Sequence, residues 1–197
     1  MSLKGRIKRQ LLNWFPSLFA RFAPWYAKPY SHYWSDESGK QYRDKTYARQ
    51  KSGGEKPLVA NPTVEEIRTI FDRYQPATVL ELGCGWGRLL EALAPYYTVE
   101  GCDVADEYLA NAPEGIPVFH YDVVTEEPTG NWDIVFTRAV MQYFINDAAA
   151  LTRAMQHMEQ MAQKKVIVWE WPHVAAAMKK AYPSEKFEYQ RMAYKDE

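Results

Sequence analysis

The stretch Thr78-Val79-Leu80-Glu81-Leu82-Gly83-Cys84-Gly85-Trp86-Gly87-Arg88 decides how the rest of this 197-residue chain is read. Val79, Leu80 and Leu82 read as a short buried strand. Three glycines at alternate positions then break it, and a helix is expected from about Trp86 to Leu93. Strand, glycine loop and helix N-terminus together make a nucleotide-binding corner, because the helix end offers unpaired N–H groups. The glycines admit positive φ and let backbone approach a ligand with no Cβ in the way.

Spacing narrows the ligand. The dinucleotide fingerprint is G-x-G-x-x-G, but here the third glycine comes one residue early. Glu81 also stands two positions before the first glycine, where a carboxylate is poor company for a pyrophosphate. It suits a positive group, such as the amino group of a methionine moiety. The stretch resembles the first motif of the class I S-adenosylmethionine methyltransferases, E/D-x-G-x-G-x-G. That resemblance implies S-adenosylmethionine as cofactor, held around Glu81, Gly83, Cys84, Gly85 and Gly87.

The segments on either side extend the pattern. Thr63 with Glu66 forms a capping box, and Val64, Ile67, Ile70 and Phe71 mark one face of a helix ending near Tyr74. Downstream, Thr98 to Asp103 reads as a second strand. It ends on an acid twenty residues beyond Gly83, where nucleotide-binding βαβ units bond the ribose hydroxyls. Glu100 competes but falls mid-strand, and Asp103 has the other reading of capping a helix over Ala105–Ala110. Pro117 to Tyr121 is a third strand. The resemblance implies that Asp122 after it bonds the adenine amino group while Val123 packs on the ring. Trp132 to Thr137 is a fourth strand, with Thr137 at the cofactor, and Arg138 to Phe144 is a loop or short helix.

A helix is expected over Asp147–Gln163, closed by Lys164 and Lys165. A fifth strand follows over Val166–Trp169, then a helix over Val174–Tyr182 and a last strand near Phe187–Tyr194. The fold class is α/β, a doubly wound, mostly parallel sheet. A full class I sheet has seven strands and ends in an antiparallel hairpin. This chain has residues for about one strand after its last helix, so the final strand is expected to be lacking.

Charge divides the chain. Residues 1–56 hold twelve Lys/Arg against four Asp/Glu, and the remainder twelve against twenty-one, for a net charge of −1. We therefore separate a basic, aromatic-rich arm and cap (1–60) from a cofactor-binding domain (61–197). Residues 2–22 are amphipathic, with Leu3, Ile7, Leu11, Trp14 and Leu18 on one stripe. Two readings stand: a basic helix in a membrane interface, or one packed on its own domain or on a second subunit of a homodimer. Residues 24–56 form either a lid with aromatic rings near the sulfonium or a subsidiary core. No apolar run reaches a membrane span, and Asn13, Pro16 and Arg21 interrupt any signal-peptide pattern. The two cysteines fit a reducing cytosol, so a cytoplasmic, peripherally membrane-associated location is expected. They could pair, but two buried thiols are the plainer reading. No metal is expected.

Ligands bind beyond the carboxyl ends of parallel strands, so a methyl acceptor should sit beyond the fourth and fifth. His173 and Glu170 are the candidate bases there, and Arg138 and Tyr143 the acceptor-orienting groups. The segment has no Asn/Asp-Pro-Pro-aromatic motif, which resembling nucleic-acid amino-methyltransferases carry, and no cysteine for a cytosine-C5 mechanism. No DNA partner is expected. The expected acceptor is a small molecule, such as a sugar or lipid-linked precursor. The alternatives are RNA or protein gripped by Lys4, Lys8, Arg9, Arg43, Lys45 and Arg49, and a partner subunit that binds without catalysing.

Overall fold

A computed structural model of the chain describes residues 62–192. The arm and cap, with the amphipathic stretch 2–22, lie outside the described residues, as do Asn61 and residues 193–197.

The domain opens with helix α1 (Val64–Phe71), and its capping box is formed from both sides. The Thr63 N–H donates to Glu66 Oε2 at 2.7 Å, and the Glu66 N–H donates to Thr63 Oγ1 at 3.1 Å. Ile67, Ile70 and Phe71 are buried at the expected spacing. A single 3₁₀ turn (Asp72–Tyr74) and Gln75 in the left-handed region (φ 48°) end it ahead of Pro76.

Strand β1 (Thr78–Leu82), helix α2 (Arg88–Leu93), strand β2 (Thr98–Asp103), the short helix α3 (Asp106–Leu109) and strand β3 (Val118–His120) follow. Then come β4 (Trp132–Arg138), a 3₁₀ turn (Met141–Tyr143), helix α4 (Ala148–Met161), β5 (Ala162–Glu170), α5 (Pro172–Ala181) and β6 (Phe187–Arg191). The sheet order is β3-β2-β1-β4-β5-β6, and every pair is parallel. The chain reverses its direction of winding between β3 and β4, so the switch point lies at the tips of β1 and β4. That is where doubly wound sheets place ligands.

Period-2 alternation sorts the core. Leu80, Leu82, Val135, Val166 and Val168 face α4 and α5 on one side. Val79, Ile134, Phe136 and Ile167 face α1 and α2 on the other. The two thiols fall on opposite sides, Cys102 in the first core and Cys84 in the second, and both are free and buried. Burial pushes both thiols up.

One expectation is corrected. Lys164 and Lys165 do not close α4, because the chain passes from Met161 directly into β5 with Ala162 already extended (φ −87°, ψ 126°). Lys164 Nζ instead donates to the Gln75 carbonyl at 2.9 Å and pairs with Asp133. The sheet is wholly parallel among the described residues, because β6 returns from the α5 crossover and pairs with β5 directly.

Candidate functional site

The glycine loop turns between β1 and α2, and each glycine has its own reason. At Gly83 (φ 73°) a Cβ would meet Val140 Cγ2 at 2.3 Å. At Gly87 (φ 78°), the N-cap of α2, it would meet Pro113 at 2.9 Å. At Gly85 (φ 56°) it would meet nothing within 4 Å, so its bare face is open. Gly85 lines the cleft; Gly87 is absent from the lining and serves packing.

The cleft holds about 160 Å³ at the tips of β1, β2 and β4. Asp103, 8% exposed, fastens its floor. One carboxylate oxygen accepts from the Gly85 N–H at 2.9 Å, the other from the Ala105 N–H at 3.0 Å. The side chain thus bridges the loop to the end of β2, and still has lone pairs facing the cleft that it lines. Burial raises its pKa, while these amides oppose the rise.

Glu81 sits beneath the loop, 4% exposed. Its Oε2 is buried and has no hydrogen-bond partner among the described residues. Burial pushes the carboxyl up to about 8, Arg138 opposes the rise, and Asp103 adds to it. Arg138 lies on the same sheet face, two residues past Phe136, which pairs with Glu81. It lines the cleft, and burial lowers its pKa while Glu81 acts to raise it. An orphaned buried carboxylate oxygen, an open glycine face and a strand-tip acid fit a ligand with a cationic end and a ribose.

Residues 79–165 match the family described as a methyltransferase domain. The match covers less than half of the chain, from the first residues of β1 into β5. The domain is similar to a curated trans-aconitate 2-methyltransferase from Azoarcus sp. (strain BH72), 33% identical over 88 residues, covering 42% of this chain and 35% of that protein. Among solved structures it resembles a SAM-bound amino pentose methyltransferase from Micromonospora echinaspora. The TM-score is 0.50 at 22% identity, over 66% of this chain and 58% of that one. It also resembles a sugar N-methyltransferase from Streptoalloteichus sp., with TM-score 0.52 at 19% identity, over 66% and 53%. The chain thus spans about a third of the curated relative and little more than half of those two structures.

The domain gathers Gly83, Gly85, Asp103, Val123, Arg138 and Tyr143 around the cleft. Other residues named from sequence stand back from its lining. Cys84 turns into the core beside α2. Thr137 is fully buried. Asp122 Oδ1 accepts from the Val124 N–H at 2.8 Å and so shapes the turn that presents Val123. His173 is half-buried at the start of α5, where burial lowers its pKa, and is not a lining residue.

Glu170 is fully buried, and its Oε1 accepts from the Met141 N–H at 2.7 Å. It is not among the residues that line the cleft, and it follows Val166 and Val168 along the face of β5 that packs on α4. Sequence reasoning missed the lining residues Tyr108, Tyr121 and Phe144. Tyr108, on α3 just past the acid, was the findable one.

Proposed function

We propose that the chain binds S-adenosylmethionine and transfers its methyl group to a small-molecule acceptor. The observation that carries this reading is the orphaned, buried Oε2 of Glu81 beneath the open Gly85 face, with Asp103 at the neighbouring strand tip. When bound, S-adenosylmethionine supplies an electrophilic methyl group on a sulfonium.

This chain's residues do the rest. Glu81 would hold the ammonium end, and Asp103 the ribose hydroxyls. Val123 would pack on the adenine, with Asp122 fixing its turn. Arg138 and Tyr143, on the acceptor side, would orient the incoming nucleophile. Alignment and water exclusion in a partly apolar cleft carry much of such a reaction.

A sugar or a lipid-linked precursor suits the acceptor side as proposed. The basic arm, residues 2–22, would bring the protein to an anionic membrane or to a second copy of itself. Among the described residues no helix is long and apolar enough to cross a membrane. The excess of acid after residue 56 weighs against a nucleic-acid acceptor, whose affinity rests on neutralised phosphates.

The test is transfer of labelled methyl from S-adenosylmethionine into fractions of cell extract. Label in the small-molecule or lipid fraction is the expected outcome. Label confined to RNA or protein overturns the acceptor class, and no transfer to any fraction overturns the catalytic reading.

The all-parallel order β3-β2-β1-β4-β5-β6 favours one competitor, since it is also the order of dinucleotide-binding sheets. Glu81 and the shortened glycine spacing weigh against a pyrophosphate there.

A further inference from the structure

The turn after β4 has an unusual anchor. Ala139, which follows β4, has φ 59°, a left-handed conformation costing a non-glycine residue about 1 kcal/mol or more. Its N–H donates to the Trp169 carbonyl at 3.1 Å. The next residue, Val140, is right-handed (φ −103°, ψ −42°) and caps the 3₁₀ turn without a side-chain bond. Left-handed then right-handed backbone turns successive N–H groups toward one side, making a concave anion site. Here the anion is internal. The Glu170 carboxylate comes from the tip of β5 on the core side and takes the Met141 N–H at 2.7 Å. Burial pushes the carboxyl up to about 7, while the amides of Met141, Trp171, Val140 and Gln142 oppose the rise.

This turn carries two walls of the cleft. Val140 occupies the space that a side chain on Gly83 would need, and both Val140 and Tyr143 line the cavity. We propose that Glu170 is a positioning residue: by holding the Met141 amide it fixes the turn 139–143, and through it the Val140 lid over the glycine loop and the Tyr143 side of the acceptor pocket. Its carboxylate reaches neither cofactor nor acceptor. The acceptor half of this statement rests on the methyl-transfer reading; the anchoring half does not.

Glu170→Ala removes the acceptor atom, whereas Glu170→Gln keeps a carbonyl oxygen for the Met141 N–H. Amide hydrogen exchange on the full chain distinguishes an anchor from mere core filling. In Glu170→Ala the Met141 amide should exchange at least tenfold faster while the amides of β1 and β4 stay protected. In Glu170→Gln its protection should return to within about threefold of wild type. S-adenosylhomocysteine affinity, read by calorimetry, should fall three- to tenfold in the Ala variant and recover in the Gln variant.

Unchanged Met141 protection in Glu170→Ala, or no rescue by Gln, overturns the proposal. If neither variant folds, the wild-type protein decides: its Met141 amide must exchange as slowly as those of β4, and rapid exchange overturns the anchor. If S-adenosylhomocysteine binds no form of the protein, the cofactor reading fails while the exchange pattern still rules on Glu170.

Discussion

At the residue scale, Glu81 concentrates the electrostatics of the site. Its carboxyl is raised to about 8 by burial, so the free protein holds it largely protonated at pH 7. A bound ammonium would favour the carboxylate. Binding of S-adenosylmethionine at pH 7 should therefore release up to one proton. Calorimetry in phosphate and in Tris, which differ in ionisation enthalpy, should show unequal apparent heats. The difference should vanish in Glu81→Gln.

The same groups set a sign for stability. Glu81 and Glu170, raised to about 8 and about 7, bind protons more tightly folded than unfolded, where a glutamate titrates near ~4.3. Stability is thus greatest below that value and is lost as pH rises through 7 and 8. Asp133 and Glu159 act oppositely, but both are lowered from values already below 5, so they lie outside this window; His173, lowered from 6.5 by burial, also acts oppositely and offsets part of the loss within it. Denaturant melts should show the protein at least about 1.4 kcal/mol less stable at pH 8 than at pH 5, the worth of one pKa unit. Each Glu→Gln variant should flatten the slope.

Gly85 gives a steric prediction. Gly85→Ala faces open space at φ 56°. It should cost only about 1–2 kcal/mol of stability yet weaken S-adenosylhomocysteine binding by roughly tenfold or more, because the methyl enters the cleft.

At the scale of elements, the capping box on α1 offers a local test. Thr63→Ala should destabilise the protein by about 1 kcal/mol in a thermal or denaturant melt without altering ligand affinity. That box was legible in sequence because Thr63 and Glu66 are neighbours in the chain. So was the glycine loop, since the spacing of three glycines and the acid ending β2 are local signals. The end of α4 was not. Met161 meets Ala162 with no glycine or proline between them, and two lysines look like a favourable helix end although they lie in a strand. Glu170 was expected beyond the fifth strand but is the last residue of β5, and His173 lies at the start of α5. Which way each points depends on strand register, which one sequence does not disclose. Ala139 carried no signal at all, because its left-handed backbone is imposed by the Trp169 carbonyl and the Glu170 anchor rather than by its own residue type.

For the molecule as a whole, β6 is the last strand in the six-stranded parallel sheet of the described residues. β6 packs Phe187 into the core, and Glu188 bonds Arg73 and Tyr74 across the sheet edge. The Met192 N–H donates to the Glu170 carbonyl at 2.9 Å. The edge strand thus braces the same β5 tip that anchors the acceptor-side turn. Phe187→Ala should cost about 3 kcal/mol or more by denaturant titration.

All of this converges on the cleft at the tips of β1, β2 and β4. Calorimetric titration of the full chain with S-adenosylhomocysteine and, separately, with NAD tests it most directly. A one-to-one heat is expected with S-adenosylhomocysteine and none with NAD. Binding should be roughly 10–100-fold weaker in Asp103→Asn, the loss expected for hydrogen bonds to a charged group. Binding of NAD in place of S-adenosylhomocysteine, or full affinity in Asp103→Asn, would contradict it.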